Sequence, residues 1–124
     1  MSKTDQSGYR EVAHEYYQKD LHPTCEFLGH VSRRLLSSEV KSISMCHVLE
    51  VGAGWSTIQY PEYVETTYCD INFLMMSKLK SHQKVVSSVY NLPFEDCTFD
   101  VIVSSLGDPY NTEGFWFESY RVLR

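Results

Sequence analysis

The sequence predicts an α/β domain built on a parallel, doubly wound sheet, and three observations predict it. Short apolar or β-branched runs alternate with stretches of helical periodicity, the pattern of successive βαβ units. The first of these runs, His47-Val48-Leu49-Glu50-Val51, is nearly continuous in apolar character, as a strand covered on both faces requires. It leads straight into Gly52-Ala53-Gly54-Trp55-Ser56, where glycines remove the Cβ atoms that would hold a ligand away from the backbone. A strand ending in such a turn delivers its carboxyl end to the crevice where open α/β sheets bind nucleotides.

The elements follow in order. Residues 1–6 are polar and expected to fray. From Ser7 to about Lys19, Val12, Ala13, Tyr16 and Tyr17 recur at helical spacing. His22-Pro23 breaks that helix, because the residue before proline avoids helical geometry. Thr24 is placed to cap a second helix, which carries Phe27, Leu28, Val31 and Leu35 on one side. Residues 1–45 thus form an N-terminal helical cap, and the sheet domain occupies 46–124. After Gly54 only Trp55 to Tyr60 is free to be helical before Pro61, so the first crossover is expected to be short or irregular. Thr66-Thr67-Tyr68-Cys69 is β-branched and aromatic and reads as the second strand, ending at Asp70. Asn72 caps a helix bearing Phe73, Leu74, Met75 and Leu79. Lys84 to Ser88 reads as the third strand and Phe99 to Ser104 as the fourth. Asn111 or Thr112 then opens a last helix, whose stripes Phe115/Val122 and Trp116/Tyr120/Leu123 form a broad apolar face.

Composition narrows the class. In 124 residues, 43% hydrophobic and 14% aromatic, there is one small domain with ample core and no case for disorder. A formal charge of −5 argues against a general nucleic-acid surface, which needs clustered Lys and Arg. Arg33-Arg34 and Lys78-Leu79-Lys80 are the local basic spots and read as solvated helix faces. Cys25, Cys46, Cys69 and Cys97 lie far apart, the pattern of reduced thiols, with Cys46 and Cys69 as small core residues in strands. The five histidines show no metal-ligand spacing: His14, His22 and His30 read as helix surface, and His47 opens the first strand. No run approaches the ~20 apolar residues of a membrane helix, and Met1-Ser2-Lys3-Thr4-Asp5 lacks a signal peptide's apolar segment, so the chain reads as cytoplasmic.

Glu50-x-Gly52-x-Gly54, followed by Asp70 at the end of the next strand, is a nucleoside-binding pattern. The glycines admit the ligand's charged tail, and the second acid accepts two ribose hydroxyls. The dinucleotide fingerprint wants a third glycine where Thr57 stands, and Pro61 cuts short the helix that would face a pyrophosphate. An NAD-binding domain is therefore disfavoured. A ligand with an ammonium and no phosphate suits Glu50 better, although a tight strand-to-helix turn with a surface acid would use the same glycines.

Val48-Leu49-Glu50-Val51-Gly52-Ala53-Gly54 resembles motif I of the class I S-adenosylmethionine-dependent methyltransferases. Three more stretches match in order: Tyr68-Cys69-Asp70-Ile71-Asn72, then Asn91-Leu92-Pro93-Phe94-Glu95-Asp96 with Phe99-Asp100-Val101-Ile102, then Glu118-Ser119-Tyr120-Arg121-Val122-Leu123-Arg124. The resemblance covers about residues 46–124. It implies a Rossmann-like, mostly parallel sheet of order 3-2-1-4, and S-adenosyl-L-methionine as cofactor. By resemblance, Glu50, Gly52, Ala53 and Gly54 hold the methionine portion, Asp70 the ribose, and Ile71 the adenine face, with Ser104 at the end of the fourth strand also lining the site. The acid that usually meets the adenine edge is replaced by Ser88, whose hydroxyl, with the Val89 backbone, would substitute for it. The third motif I glycine is Ser56. Asp108-Pro109-Tyr110 resembles, with one proline missing and a longer offset, the signature of enzymes that methylate amino nitrogens, making Asp108 and Tyr110 the catalytic candidates. Asp-Pro is also an ordinary turn dipeptide, and the turn is the preferred reading. Tyr9 and Tyr17 either pack on the sheet edge or line the cofactor site.

The family commonly continues past this last motif into a fifth strand. The sequence reaches Arg124 without one, so the expectation is a truncated sheet completed by self-association, by a partner chain or by the rest of a longer protein. An exposed fourth-strand edge, Val101-Ile102-Val103, favours a homodimer or partner chain there. The functional expectation is methyl transfer to an acceptor the sequence does not identify. The alternative is a non-catalytic S-adenosylmethionine-binding module or pseudoenzyme subunit.

Overall fold

A computed structural model describes residues 23–44, 46–105 and 113–124. The helix expected from Ser7 to Lys19, with Tyr9, Tyr16, Tyr17 and His14, lies outside the described residues, as do His22, Asp108, Tyr110 and the caps expected at Asn111 or Thr112.

Helix α1 (Pro23–Val40) precedes the sheet. It begins at Pro23 rather than behind a Thr24 cap, since the fixed φ of proline suits a first helical turn. Its core-facing row is Ser32, Leu36 and Val40, spaced four apart: Leu36 and Val40 join the core, and Ser32 Oγ meets Ser105 Oγ at 2.6 Å. Phe27, Val31 and Leu35 lie on the neighbouring row, and with Leu28 they are 40–65% exposed, not the packing side the periodicity suggested.

The sheet comprises β1 (His47–Val51), β2 (Glu65–Asp70), β3 (Lys84–Val86) and β4 (Val101–Ser104) in the order β3-β2-β1-β4. All three pairings are parallel, as expected from the alternation of elements. In the central strand, Leu49 lies level with Thr67 on one side and Ile102 on the other. The apolar run is buried on both faces. Leu49 and Val51 pack with Cys69, Phe99, Phe115 and Val122, whereas Val48 packs with Val40, Ile58 and Val103 on the α1 side.

Between Gly54 and Pro61 the chain has no helix, as the proline required. Asn72 does act as a cap, its Oδ1 accepting from the Leu74 amide at 2.9 Å, but the helix is a single 3-10 turn, Phe73–Met76. Ser77 closes it early by giving its amide to Leu74 O (3.2 Å) and its hydroxyl to the same carbonyl (2.8 Å).

The third and fourth strands are shorter than the sequence suggested. Ser88 already belongs to a turn, with its carbonyl accepting from Asn91 N at 3.2 Å. Phe99 spends its amide, with that of Thr98, on Val122 O, and bridges to Leu123 rather than joining the ladder.

Helix α2 (Glu113–Val122) buries Phe115, Ser119 and Val122. Trp116 and Tyr120 are 60% and 83% exposed, so the second stripe is not part of the core-facing side. Cys69 is buried in β2 as expected, while Cys46 is half-buried just ahead of β1, and Cys46, Cys69 and Cys97 are free thiols. Among the described residues no helix is long and apolar enough to cross a membrane.

Candidate functional site

The parallel sheet brings the carboxyl ends of β1, β2 and β4 to one rim, and Glu50, Gly52, Ala53, Gly54, Asp70, Ile71 and Ser104 lie along it. Register pairs Val51 with Cys69 and with Ser104, so Gly52, Asp70 and Ser104 emerge side by side. The turn after β1 rests on positive φ at Gly52 (60°) and Gly54 (52°), a region where a Cβ is penalised. Between them, the Ala53 amide donates to Cys69 O at 3.0 Å, pinning the turn to β2.

Asp70 is organised by that turn. Its Oδ2 accepts from the Gly54 amide and its Oδ1 from the Asn72 amide, each at 2.9 Å. Burial raises the Asp70 pKa, while the amides of Asn72, Gly54 and Ile71 act in the opposite direction. A carboxylate offers about four lone-pair positions, so these amides do not exhaust its capacity.

Glu50 sits on the α1 face of β1 and is only 2% exposed. Its Oε1 accepts from Ser56 Oγ at 2.8 Å and from Tyr60 OH at 2.7 Å. Burial pushes its pKa up to about 7, against the pull of those two hydroxyls. Burial and the neighbouring Glu50 also raise the Tyr60 phenol, so Tyr60 is a fixed donor. The Tyr60 ring meets Tyr68 edge-on, with centroids 6.4 Å apart. The Ser56 hydroxyl in turn accepts from Ile58 N at 3.3 Å. Glu50 therefore anchors the irregular segment that replaces a crossover helix.

The sequence pattern missed Tyr60 altogether. Its only signal was a hydroxylated aromatic at the end of a segment that Pro61 prevents from being helical. Ser56, noted as a stand-in for a glycine, proves to be a hydrogen-bond partner of Glu50. On β3's side, Ser88 Oγ accepts from the Tyr90 amide at 3.1 Å and Val89 leans on the core, with Ile71 half-buried beside Asp70.

The profile of the methyltransferase domain family matches residues 49–124, from the middle of β1 to the end of the chain. The chain belongs to this methyltransferase family. Comparison with curated proteins finds no match.

Solved structures share the fold. The YcgJ protein of Bacillus subtilis is 23% identical with a TM-score of 0.64, over 77% of this chain and 47% of that one. Phosphoethanolamine N-methyltransferase 1 of Haemonchus contortus, solved with phosphoethanolamine and S-adenosylhomocysteine, is 12% identical with a TM-score of 0.74 over 98% and 29%. An S-adenosylmethionine-dependent methyltransferase of Aquifex aeolicus is 20% identical with a TM-score of 0.54 over 74% and 58%. The chain thus spans less than two thirds of each of these structures. S-adenosylmethionine as the cofactor, expected from the motifs, agrees with the family and with these neighbours.

The chemistry of the rim fits that group. A buried carboxylate with a pKa near 7 beside a glycine turn suits an ammonium, whose positive charge would restore its ionised form. An amide-oriented carboxylate at the end of the adjacent strand suits a pair of hydroxyls.

Proposed function

We propose that this domain binds S-adenosylmethionine at the β1–β2 rim and serves methyl transfer to a small or macromolecular acceptor yet to be identified. The observation that carries the reading is the convergence of Glu50 and Asp70 on one glycine turn, with Asp70 Oδ2 on the Gly54 amide. In this reading Glu50, Gly52, Ala53 and Gly54 receive the methionine end and Asp70 the ribose hydroxyls. Ile71 covers the adenine face, Ser88 and Val89 meet its edge, and Ser104 borders the site from β4. In this reading residues 46–124 form the cofactor-binding unit and residues 1–45 an N-terminal helical cap.

When bound, the cofactor supplies an electrophilic methyl group on a sulfonium. The chain's own contribution is positional, because this transfer needs alignment more than covalent help. Ionised Glu50 orients the ammonium, and Asp70 fixes the rotation of the ribose. Asp108 and Tyr110, which follow β4 in sequence, are the proposed acceptor-facing pair: a carboxylate to take up the amine protons and a ring to stack the acceptor.

A second reading is supported by the open side of β4, which pairs only with β1 among the described residues. There the domain is a non-catalytic binding module, or one subunit of an assembly in which a second chain or a longer polypeptide completes the sheet.

Calorimetric titration of S-adenosylhomocysteine into the 124-residue chain tests the cofactor assignment, with NAD as control. Micromolar binding of the former, absent for NAD and lost in Asp70→Ala, is the expected result. A folded chain that ignores S-adenosylhomocysteine, or that prefers NAD, overturns it. Methyl transfer to an acceptor pool, abolished by Glu50→Ala, then separates the enzyme from the binding module.

A further inference from the structure

We propose that the cleft between α1 and the extended segment after the glycine turn binds a phosphoryl dianion, carried on a small molecule or free as phosphate. The cleft is open to solvent and offers about 540 Å³. His30, Arg33 and Arg34 line it from α1, Lys41 from the turn that follows, and Thr57 and Gln59 from the opposite wall. Positions 30, 33, 34 and 37 recur three or four apart, which places them on one side of the helix, and Lys41 follows in the next turn. The two walls are tied by the Gln59 amide, which donates to Ser37 Oγ at 3.2 Å. Arg33 and Arg34, expected as a solvated helix face, border this open cleft.

The charge is what identifies the ligand. Three permanent cations line this cleft, no acidic side chain does, and the protein carries a formal charge of −5. Arg33, Arg34 and Lys41 form no ion pair among the described residues, although Arg121 and Arg124 elsewhere do. Arg33 lies back along the helix over Gly29, where an added Cβ would come within 2.7 Å of its Nη1.

Guanidinium forks match phosphate oxygens two at a time, and a lysine adds a point charge. A phosphate ester carries between −1.5 and −2 charges, which offset half or more of the charge of the three cations. A single carboxylate would leave most of that positive field uncompensated. Thr57 and Gln59 supply neutral hydrogen-bonding groups opposite the cations, and the volume is that of a small-molecule site. A nucleic-acid polymer would need the cations to continue along the surface, against a net negative chain.

The site is separate from the Glu50–Asp70 rim in its residues, so its test stands apart from methyl transfer. The probes are inorganic phosphate, glycerol phosphate, acetate and a short single-stranded DNA, titrated calorimetrically into the 124-residue chain at low salt, where surface charge is least screened. Saturable binding of one or both phosphates, with acetate at least about tenfold weaker, is expected; each tenfold step is about 1.4 kcal/mol. Tighter glycerol phosphate assigns an ester, and tighter inorganic phosphate assigns the free anion. Arg34→Gln and Lys41→Gln, both on exposed positions, should each weaken phosphate several-fold while leaving S-adenosylhomocysteine binding and far-UV dichroism unchanged. Equal binding of acetate, wild-type phosphate affinity in both variants, or preference for the DNA over either phosphate overturns the assignment.

Discussion

Glu50 shows how one buried carboxylate couples stability to pH. Its carboxylate is almost wholly buried and has a folded-state pKa of about 7, above the ordinary carboxylate range. The folded protein therefore holds a proton in a window where the unfolded chain has released it. The Glu50 contribution to stability is complete below the unfolded pKa and declines as pH rises towards 7. Each pH unit of that window is worth at most about 1.4 kcal/mol, so the decline is on the order of 2–3 kcal/mol. Denaturant unfolding at pH 5 and pH 8 checks this: wild type should lose stability relative to Glu50→Gln, whose amide oxygen still accepts from Ser56 and Tyr60. Parallel pH profiles would refute it. Ligand binding runs the other way. An ammonium favours ionised Glu50, so S-adenosylhomocysteine affinity should rise from pH 6 to pH 8 in wild type and stay flatter in Glu50→Gln. The sequence made the placement of Glu50 and Asp70 at neighbouring strand ends legible, because that placement follows from the strand pattern alone. It did not reveal that Glu50 faces inward, because that depends on which hydroxyls the following segment brings back.

At the scale of elements, the segment from Trp55 to Tyr60 is the most consequential departure from a regular βαβ unit. Pro61 excluded a helix, and the extended chain instead reaches back so that Tyr60 caps Glu50. Tyr60→Phe keeps the ring against Tyr68 and removes only the hydroxyl. It should cost about 1–3 kcal/mol at pH 8, where the lost partner is a buried charge, and less at pH 5, where Glu50 is protonated. Equal losses at both pH values would show that Tyr60 acts through packing.

A second element-scale device lies at the far side of the sheet. Arg121 donates to Leu92 O (2.9 Å), Phe94 O (2.7 Å) and Asp96 Oδ1 (2.8 Å), and Glu118 Oε2 accepts from Leu92 N at 2.7 Å. These bonds hold the Asn91–Asp96 loop against α2, and Glu118 is pulled below the usual carboxylate range by Arg121. Arg121→Lys cannot span the three acceptors, so limited proteolysis should cut this loop faster in the variant; an unchanged rate would refute the role. That loop and the helix were read from sequence as separate motifs. Their connection was invisible because side-chain-to-carbonyl bonds leave no periodicity. The strands were legible for the opposite reason, since Val48–Val51 needs apolar cover on both faces whatever surrounds it. Phe73–Met76 shows the limit of that logic: its spacing favoured a longer helix, but Ser77 closes the turn on Leu74 O and Lys84 Nζ binds Met76 O and Leu79 O.

At the scale of the molecule, the sheet has a covered centre and an open flank. β1 is paired on both sides, while β4 is paired only with β1 among the described residues. Its four residues, Val101–Ser104, are predominantly β-branched and apolar, the composition that templates further strand pairing. Exposed Trp116, Phe117 and Tyr120 on α2 and Phe27 and Leu35 on α1 add apolar surface outside the core. The 124-residue chain should therefore self-associate through β4. Light scattering across a wide concentration range should show mass rising above that of a single chain, and hydrogen exchange should show the β4 amides gaining protection as it rises. A monodisperse monomer throughout would refute the edge argument. Association with no added protection in β4 would assign it to the aromatic surface of the helices instead. The same experiment with S-adenosylhomocysteine present links the two ends of the argument. Ser104 is the last residue of β4 and lies level with Val51, the residue before the glycine turn. Ordering β4 by pairing should therefore tighten the rim, so the associated form is expected to bind S-adenosylhomocysteine more strongly, and the ligand reciprocally to promote association.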